Sequence, residues 1–410
     1  MSLQVRLSLL PSVRCLYDEP VQVKVAGLRS QQLVTMRGRL TDDKGVMFSS
    51  SATYMADGSG KIELDRDPSL GGSYVGVEPM GLFWSMKPDT LHTKLTKTNL
   101  LNPQTVTLSV HDKDDDRMLA EVTNERFLIG DGVKRVPIKE GNIRGVLFMP
   151  PGGGPFPAVL DLSSSRSENR ACLLANKGFV VLSITLYQNN FAKVKEMHLD
   201  YFEEAIDFLK HSKVGSKRIG VISRSIGGAI ALSIAGFVPG VEAVVCINGC
   251  NANVAFPLYY KKHLILSPLS FDFKMLFPTE SGAVIATHVL DNPLAEENND
   301  TLIPIEQAKG HFLFVASEDD LTWDSKAYMD QMVERLKRHA KDNFESVSYP
   351  GAGHLLQPPY EPHCRSCASY ITTKPVMWGG EARAHAAAEV HLWKKIQEFF
   401  RTHLSCETAQ

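Results

Sequence analysis

What is scarce in this chain limits what it can be. Basic and acidic side chains nearly cancel, 44 Lys and Arg against 46 Asp and Glu, for a net charge of −2. Nothing in that balance suggests a nucleic-acid or polybasic membrane partner. No apolar run reaches the length of about 20 residues that spans a bilayer as a helix. The seven cysteines are scattered and odd in number, which argues against a secreted disulfide framework and for a reducing compartment. Cys364 and Cys367 form one C-x-x-C beside His363. A second ligand pair is missing, so neither a metal site nor a redox motif is expected there. Residues 1–11 alternate polar and apolar like a first strand, unlike a signal peptide. Residues 408–410 read Thr-Ala-Gln, which is not a Ser-Lys-Leu peroxisomal address. A cytoplasmic location is expected, with a peroxisomal pool reachable only by another route.

What remains is ordinary globular material: 410 residues, 43% hydrophobic and 22% charged, enough for two or three domains. Up to about residue 134 the chain shows period-two runs, at 21–25, 32–36, 52–54 and 105–110. Asp57-Gly58 and Gly71-Gly72 supply turns. Short alternating strands of this kind predict an all-β sandwich of immunoglobulin type over 1–134. From 135 the character changes. Near-continuous apolar stretches at 158–162, 179–186, 219–222, 241–247 and 312–316 alternate with helical patterns at 171–177, 199–212, 325–340 and 381–403. Apolar strands separated by helices predict a mostly parallel sheet covered on both faces, an α/β-hydrolase domain over 135–410. The insertion at 249–306 carries no readable pattern.

The run RIGVISRSIGGAIALSIA at 218–235 is the most informative stretch. It reads as a buried strand, a tight turn at Ser225 and a helix, the form of a nucleophile elbow. Small residues permit the turn, and Gly227 and Gly228 allow strand and helix to approach closely. The usual elbow is G-x-S-x-G, and here Ser223 stands at the first glycine.

A serine nucleophile needs a base and the base needs a carboxylate. In α/β hydrolases the chain order is Ser, Asp or Glu, His. Asp319 and Asp320 follow the strand at 312–316, and Asp320, further along the loop, is the preferred acid. His354 follows a strand near 346–348 through a G-A-G turn and is the expected base. His363, His385 and His391 are expected to be structural or exposed. The Ile226 backbone N–H is one expected oxyanion donor. Ser163, at the start of the loop after 158–162, is the candidate for the other. Arg224, beside the elbow, could attract CoA phosphates or point to solvent, and solvent is the preferred expectation. No cofactor and no metal is needed for such acyl transfer.

Five segments carry a resemblance to a known family: LGGSYVGVEPMGLFW at 70–84, RVPI at 135–138, HLDYFEEAI at 198–206, SYPGAGHLLQPPY at 348–360 and WGGEARAHAAA at 378–388. The chain resembles the acyl-CoA thioesterase and bile acid-CoA:amino acid N-acyltransferase family over nearly its whole length. The resemblance implies acyl-CoA substrates and a Ser or Cys, Asp, His triad that falls on Ser225, Asp320 and His354. The amidating branch typically carries cysteine at the elbow. Serine, which forms an oxygen ester, favours hydrolysis, so thioesterase activity is expected. Conjugation of the acyl group to glycine or taurine is the alternative. One departure motivates a third reading, a weakened member that binds acyl-CoA: the loop SSSRSENR at 163–170 lacks the family's usual glycines.

Overall fold

Alternation of polar and apolar residues in the first third of the chain produces strands buried on one side only. In Leu33–Thr41, Val34, Met36 and Leu40 point inward, and in Met47–Met55, Phe48, Ala52 and Tyr54 do the same. These two strands pair antiparallel in register, Leu33 opposite Met55 and Thr41 opposite Met47. Gln104–Asp112 and Met118–Phe127 extend that sheet antiparallel, giving seven strands in all. A second, three-stranded antiparallel sheet contains Arg6–Leu10, Gln22–Ala26 and Ile62–Glu63. Arg126 is buried on the larger sheet. Its guanidinium donates to the Tyr17 and Glu19 carbonyls at 2.7 and 2.6 Å and lies 4.9 Å from the Phe83 ring centre.

The computed structural model describes residues 4–164, 167–187, 191–213 and 215–405, so 408–410 and two residues of the 163–170 loop lie outside it. The chain divides into two units. Met1–Gly130, Gln357–Cys367 and Ala382–Val390 make the first, and Asp131–Leu356, Ala368–Glu381 and His391–Gln410 the second. These units differ in their segments from a linear division into 1–134 and 135–410. Two late segments count with the β-rich unit, because unit membership follows from contacts and not from a segment's own periodicity.

The second unit is built on one eight-stranded sheet: β1 Lys134–Glu140, β2 Ile143–Met149, β3 Phe156–Ser163, β4 Val180–Thr185, β5 Gly215–Arg224, β6 Val241–Ile247, β7 His311–Ser317 and β8 Phe344–Tyr349. Their spatial order is β1-β2-β4-β3-β5-β6-β7-β8. β2 pairs antiparallel with β1 and β4, and every other pairing is parallel. Central strands are buried along nearly all their length, as VVLSI of β4 and FLFVAS of β7 illustrate, because a parallel sheet needs cover on both faces. The cover includes α1 Asn169–Asn176, α2 Leu199–His211, α3 Ile226–Phe237 and α4 Ser325–Arg338. A fifth helix, α5 Ala382–Leu404, closes the chain. Sequence IGGAIALSIAGF leaves α3 without a polar stripe, and Ile226 through Ile234 are all buried. The unreadable insertion holds short strands, Leu258–Tyr260 and His263–Leu266 among them, and 3-10 turns. Among the described residues no helix is long and apolar enough to cross a membrane.

Candidate active site

β5 ends at Arg224 and α3 begins at Ile226, so the whole turn is Ser225. Its backbone sits at φ 63°, ψ −129°, a region that L residues other than Gly, Asn and Asp rarely occupy. Such strain costs of order 1–3 kcal/mol and persists only where the surroundings impose it. Here the Ser225 N–H donates to the Ile247 carbonyl at 2.9 Å, fastening the turn to the end of β6. Space excludes a side chain at Gly227 and leaves little room for one at Gly228. A Cβ on Gly227 would collide with Ser223 Oγ, and one on Gly228 would stand 3.1 Å from both Cys246 Sγ and the Gly249 backbone. Ser223, in place of the usual first glycine, donates its hydroxyl to the Leu162 carbonyl at 2.8 Å. It thereby ties the elbow to the end of β3.

His354 and Asp320 arrive from loops after β8 and β7. His354 Nε2 lies 2.8 Å from Ser225 Oγ, and its Nδ1 lies 2.6 Å from Asp320 Oδ2. Both residues are buried, His354 at 1% exposure and Asp320 at 7%. Asp320 is fully engaged: Oδ1 accepts from the Thr322 and Trp323 N–H groups, and Oδ2 also accepts from Ser325 Oγ at 2.6 Å. These bonds hold the carboxylate in place facing the imidazole. Asp319 is turned to another partner, and its Oδ2 accepts from the Gly380 N–H at 2.9 Å.

The segment around Trp378 holds both loops. The Trp378 carbonyl accepts from the His354 N–H at 2.8 Å, and its indole stacks on the His354 ring at 5.6 Å. Close approach explains the glycines here too. A Cβ on Gly353 would run into the Gly379 carbonyl, and one on Gly379 into the Asp319 carbonyl. Asn248, at φ 48° just past β6, forms a second hub. Its amide donates to Ser317 Oγ at 3.0 Å and to the His354 carbonyl at 2.9 Å, while its own carbonyls accept from Ser317 N–H and Trp323 Nε1. Neither Asn248 nor the tryptophans stood out in the sequence. A polar residue directly after a buried strand was the available signal.

The oxyanion candidates differ in their freedom. Ile226 opens α3, and the first N–H groups of a helix have no intrahelical acceptor. Ser163 closes β3 in register with Thr185, and its carbonyl accepts from Leu186 N–H at 2.8 Å, so its backbone takes part in the sheet. The glycine-free loop that follows is pinned at its far end, where Arg170 makes a bidentate pair with buried Asp161 at 2.6 and 3.0 Å. Arg224 does not point freely to solvent as expected. It is half-buried and donates to the Leu356 carbonyl at 2.7 Å.

The cysteines near the elbow, Cys246 and Cys250, are buried, and burial pushes both thiols up to about 12, which keeps them protonated. Cys364 is raised as well, by its hydrogen bond with Cys367 and then by burial. Among the described residues no His, Cys, Asp and Glu group could hold a metal ion.

The sequence profile "Acyl-CoA thioester hydrolase/BAAT N-terminal region" matches residues 18–140, and "BAAT / Acyl-CoA thioester hydrolase C terminal" matches 197–406. Human acyl-coenzyme A thioesterase 1 is 40% identical over 407 residues, covering 97% of this chain and 96% of that one. Human mitochondrial acyl-coenzyme A thioesterase 2 is also 40% identical, covering 97% and 84%. Mouse peroxisomal succinyl-coenzyme A thioesterase is 39% identical, covering 97% and 96%. Likeness to solved structures is distant. A Pyrococcus horikoshii acylaminoacyl peptidase matches at TM-score 0.45 and 12% identity, over 96% of this chain and 61% of that one. With both profiles matched and near-full-length relatives at this identity, the chain belongs to the acyl-CoA thioester hydrolase/BAAT family.

Proposed function

We propose that this protein hydrolyses fatty acyl-CoA to free acid and CoA through an acyl-serine, with Ser225 as nucleophile, His354 as general base and acid, and Asp320 as the carboxylate that orients it. The observation that carries the reading is the continuous chain Ser225 Oγ–His354–Asp320 at 2.8 and 2.6 Å in a member of this family. As Ser225 Oγ attacks the thioester carbonyl carbon, His354 Nε2 takes its proton. The imidazolium is stabilised by Asp320, whose charge stays on the carboxylate. Collapse of the tetrahedral intermediate breaks the C–S bond, and His354 returns the proton to the departing CoA sulfur. Water then attacks the acyl-serine with His354 again as base, and Ser225 is restored.

The Ile226 N–H supports the developing oxyanion at the positive end of α3. A second donor comes from the segment that starts at Ser163. Serine at the elbow and protonated, buried cysteines beside it favour hydrolysis over transfer to an amine. In keeping with the family, the first unit is read as an immunoglobulin-like sandwich.

The test is CoA release from a long-chain acyl-CoA, with and without glycine or taurine, for the wild type and Ser225→Ala. Amine-independent release that vanishes in the variant is the expected result. N-acyl amino acid as product would replace this reading with conjugation. Binding of acyl-CoA without turnover by the wild type would leave a binding protein.

A further inference from the structure

The phenol of Tyr187 is a buried donor with nothing to donate to among the described residues. Tyr187 lies two residues past β4, at the sheet edge where Ser225 sits, and is 6% exposed. Its hydroxyl is buried and has no hydrogen-bond partner among the described residues. Leaving such a group unpaired costs about 1–3 kcal/mol, and buried tyrosines normally find an acceptor. Replacing it with Phe would remove that cost without changing the packing, so the fold alone does not call for the oxygen.

The surroundings are aromatic. Phe191 meets the Tyr187 ring edge-on at 5.0 Å, Phe256 at 5.8 Å and Tyr370 at 6.3 Å, and Phe191 and Tyr370 lie 4.9 Å apart. Burial holds the Tyr187 hydroxyl well above the usual phenol range, so it remains a donor. The cluster is connected to the elbow through neighbouring residues. The preceding residue, Leu186, packs within 3.1 Å of the position a Cβ on Gly227 would take. Tyr370 is hydrogen-bonded to the Ser164 side chain and lies within electrostatic reach of Arg224, next to the nucleophile. Tyr370 is half-exposed and is the side of the cluster that solvent reaches.

We infer that Tyr187, Phe191, Phe256 and Tyr370 form an acyl-recognition surface in which the Tyr187 hydroxyl selects acyl-CoA substrates whose chain carries a neutral oxygen acceptor, a keto or hydroxyl group. This rests on the acyl-CoA reading of the same site and specifies its substrate class. A carboxylate fits less well, since an aromatic wall with one neutral donor does not compensate the desolvation of a charge. A site built to hydrogen-bond a substrate oxygen discriminates strongly against the analogue without it.

The experiment compares a 3-hydroxyacyl-CoA, a 3-oxoacyl-CoA and a mid-chain hydroxyacyl-CoA with the saturated acyl-CoA of equal length. It is run in two ways: kcat/KM of the full-length protein, and calorimetric Kd on Ser225→Ala protein. At least one oxygenated chain is expected to be preferred by about tenfold, the worth of one well-made hydrogen bond. Tyr187→Phe is expected to bring that ratio close to one. Tyr370→Ala, which opens the entrance but keeps the donor, is expected to preserve it. No preference in the wild type, or a preference that Tyr187→Phe leaves intact, overturns the inference. So does an equal loss on every substrate, which would mark a general role in turnover. If the binding preference and its loss are seen while the wild type releases no CoA, the hydrolysis reading fails and this one stands.

Discussion

In the first unit His385 Nε2 lies 3.0 Å from Glu389 Oε1, one turn along α5. In the second unit His354 Nδ1 lies 2.6 Å from Asp320 Oδ2, contributed by a loop 34 residues away. Both pairs are buried, and both acids accept further hydrogen bonds, Glu389 from the Gln357 N–H and Asp320 from Thr322, Trp323 and Ser325. What marks the second pair is a serine at the ring nitrogen not facing the acid: His354 presents Nε2 to Ser225 at 2.8 Å. The His385 ring lies tilted against His363 at 4.5 Å between centres. A buried histidine–carboxylate pair is therefore a structural device by default. It becomes a candidate for chemistry when a strained strand-to-helix turn holds a hydroxyl at the remaining nitrogen.

The largest effect that would sharpen this contrast is at the proposed nucleophile. Ser225→Ala is expected to lower CoA release by about 10⁴- to 10⁶-fold, with circular dichroism unchanged; a loss under tenfold would remove Ser225 from the chemistry. Next come the two acids, treated alike. Asp320→Asn is expected to cost about 10⁴-fold in kcat by offering the imidazole the wrong hydrogen-bond partner. Glu389→Gln should hold turnover within about twofold while lowering Tm by several degrees, because it weakens a buried pair. Paired steady-state kinetics and thermal melts decide this, and equal kinetic losses would erase the distinction between the pairs.

A smaller effect is expected at the hub. Asn248→Ala removes bonds to Ser317 and to the His354 carbonyl. It should reduce kcat by about 10- to 100-fold and stability by about 1–3 kcal/mol, read from urea unfolding beside the kinetics. The smallest net change is expected from a compensated pair at the elbow. Gly227→Ala alone clashes with Ser223 Oγ and should destabilise the protein. Adding Ser223→Gly should restore most of the Tm, since the collision is removed and alanine is the better helix former. Failure of that rescue would place the conflict at Leu186 instead.

Much of the second unit was readable because burial on both faces writes itself into composition. β4 and β7 are mostly apolar, so polar residues after such strands stand out; Ser225, Asp320 and His354 follow β5, β7 and β8. The first unit is harder to read. In strands with one wet face, polar residues are expected at alternate positions, and Arg126 looks like one of them although it is buried. The role of Asn248 was equally hidden, since its partners Ser317, Trp323 and His354 are distant in sequence.

Local sequence determined the elbow: small residues at 223, 227 and 228, an apolar strand before and an apolar helix after leave the chain few ways to turn. It also determined the family, through long motifs that need no coordinates. Which aspartate faces His354 was decided by tertiary structure. Asp319 and Asp320 are chemically identical neighbours, and only the positions of the Gly380 N–H and the imidazole tell them apart. The same holds for Arg224, drawn from solvent by the Leu356 carbonyl, and for the segments 357–367 and 382–390 that count with the first unit. Periodicity is set by each residue's own preference for water or core, whereas partners are set by where the rest of the chain comes to lie.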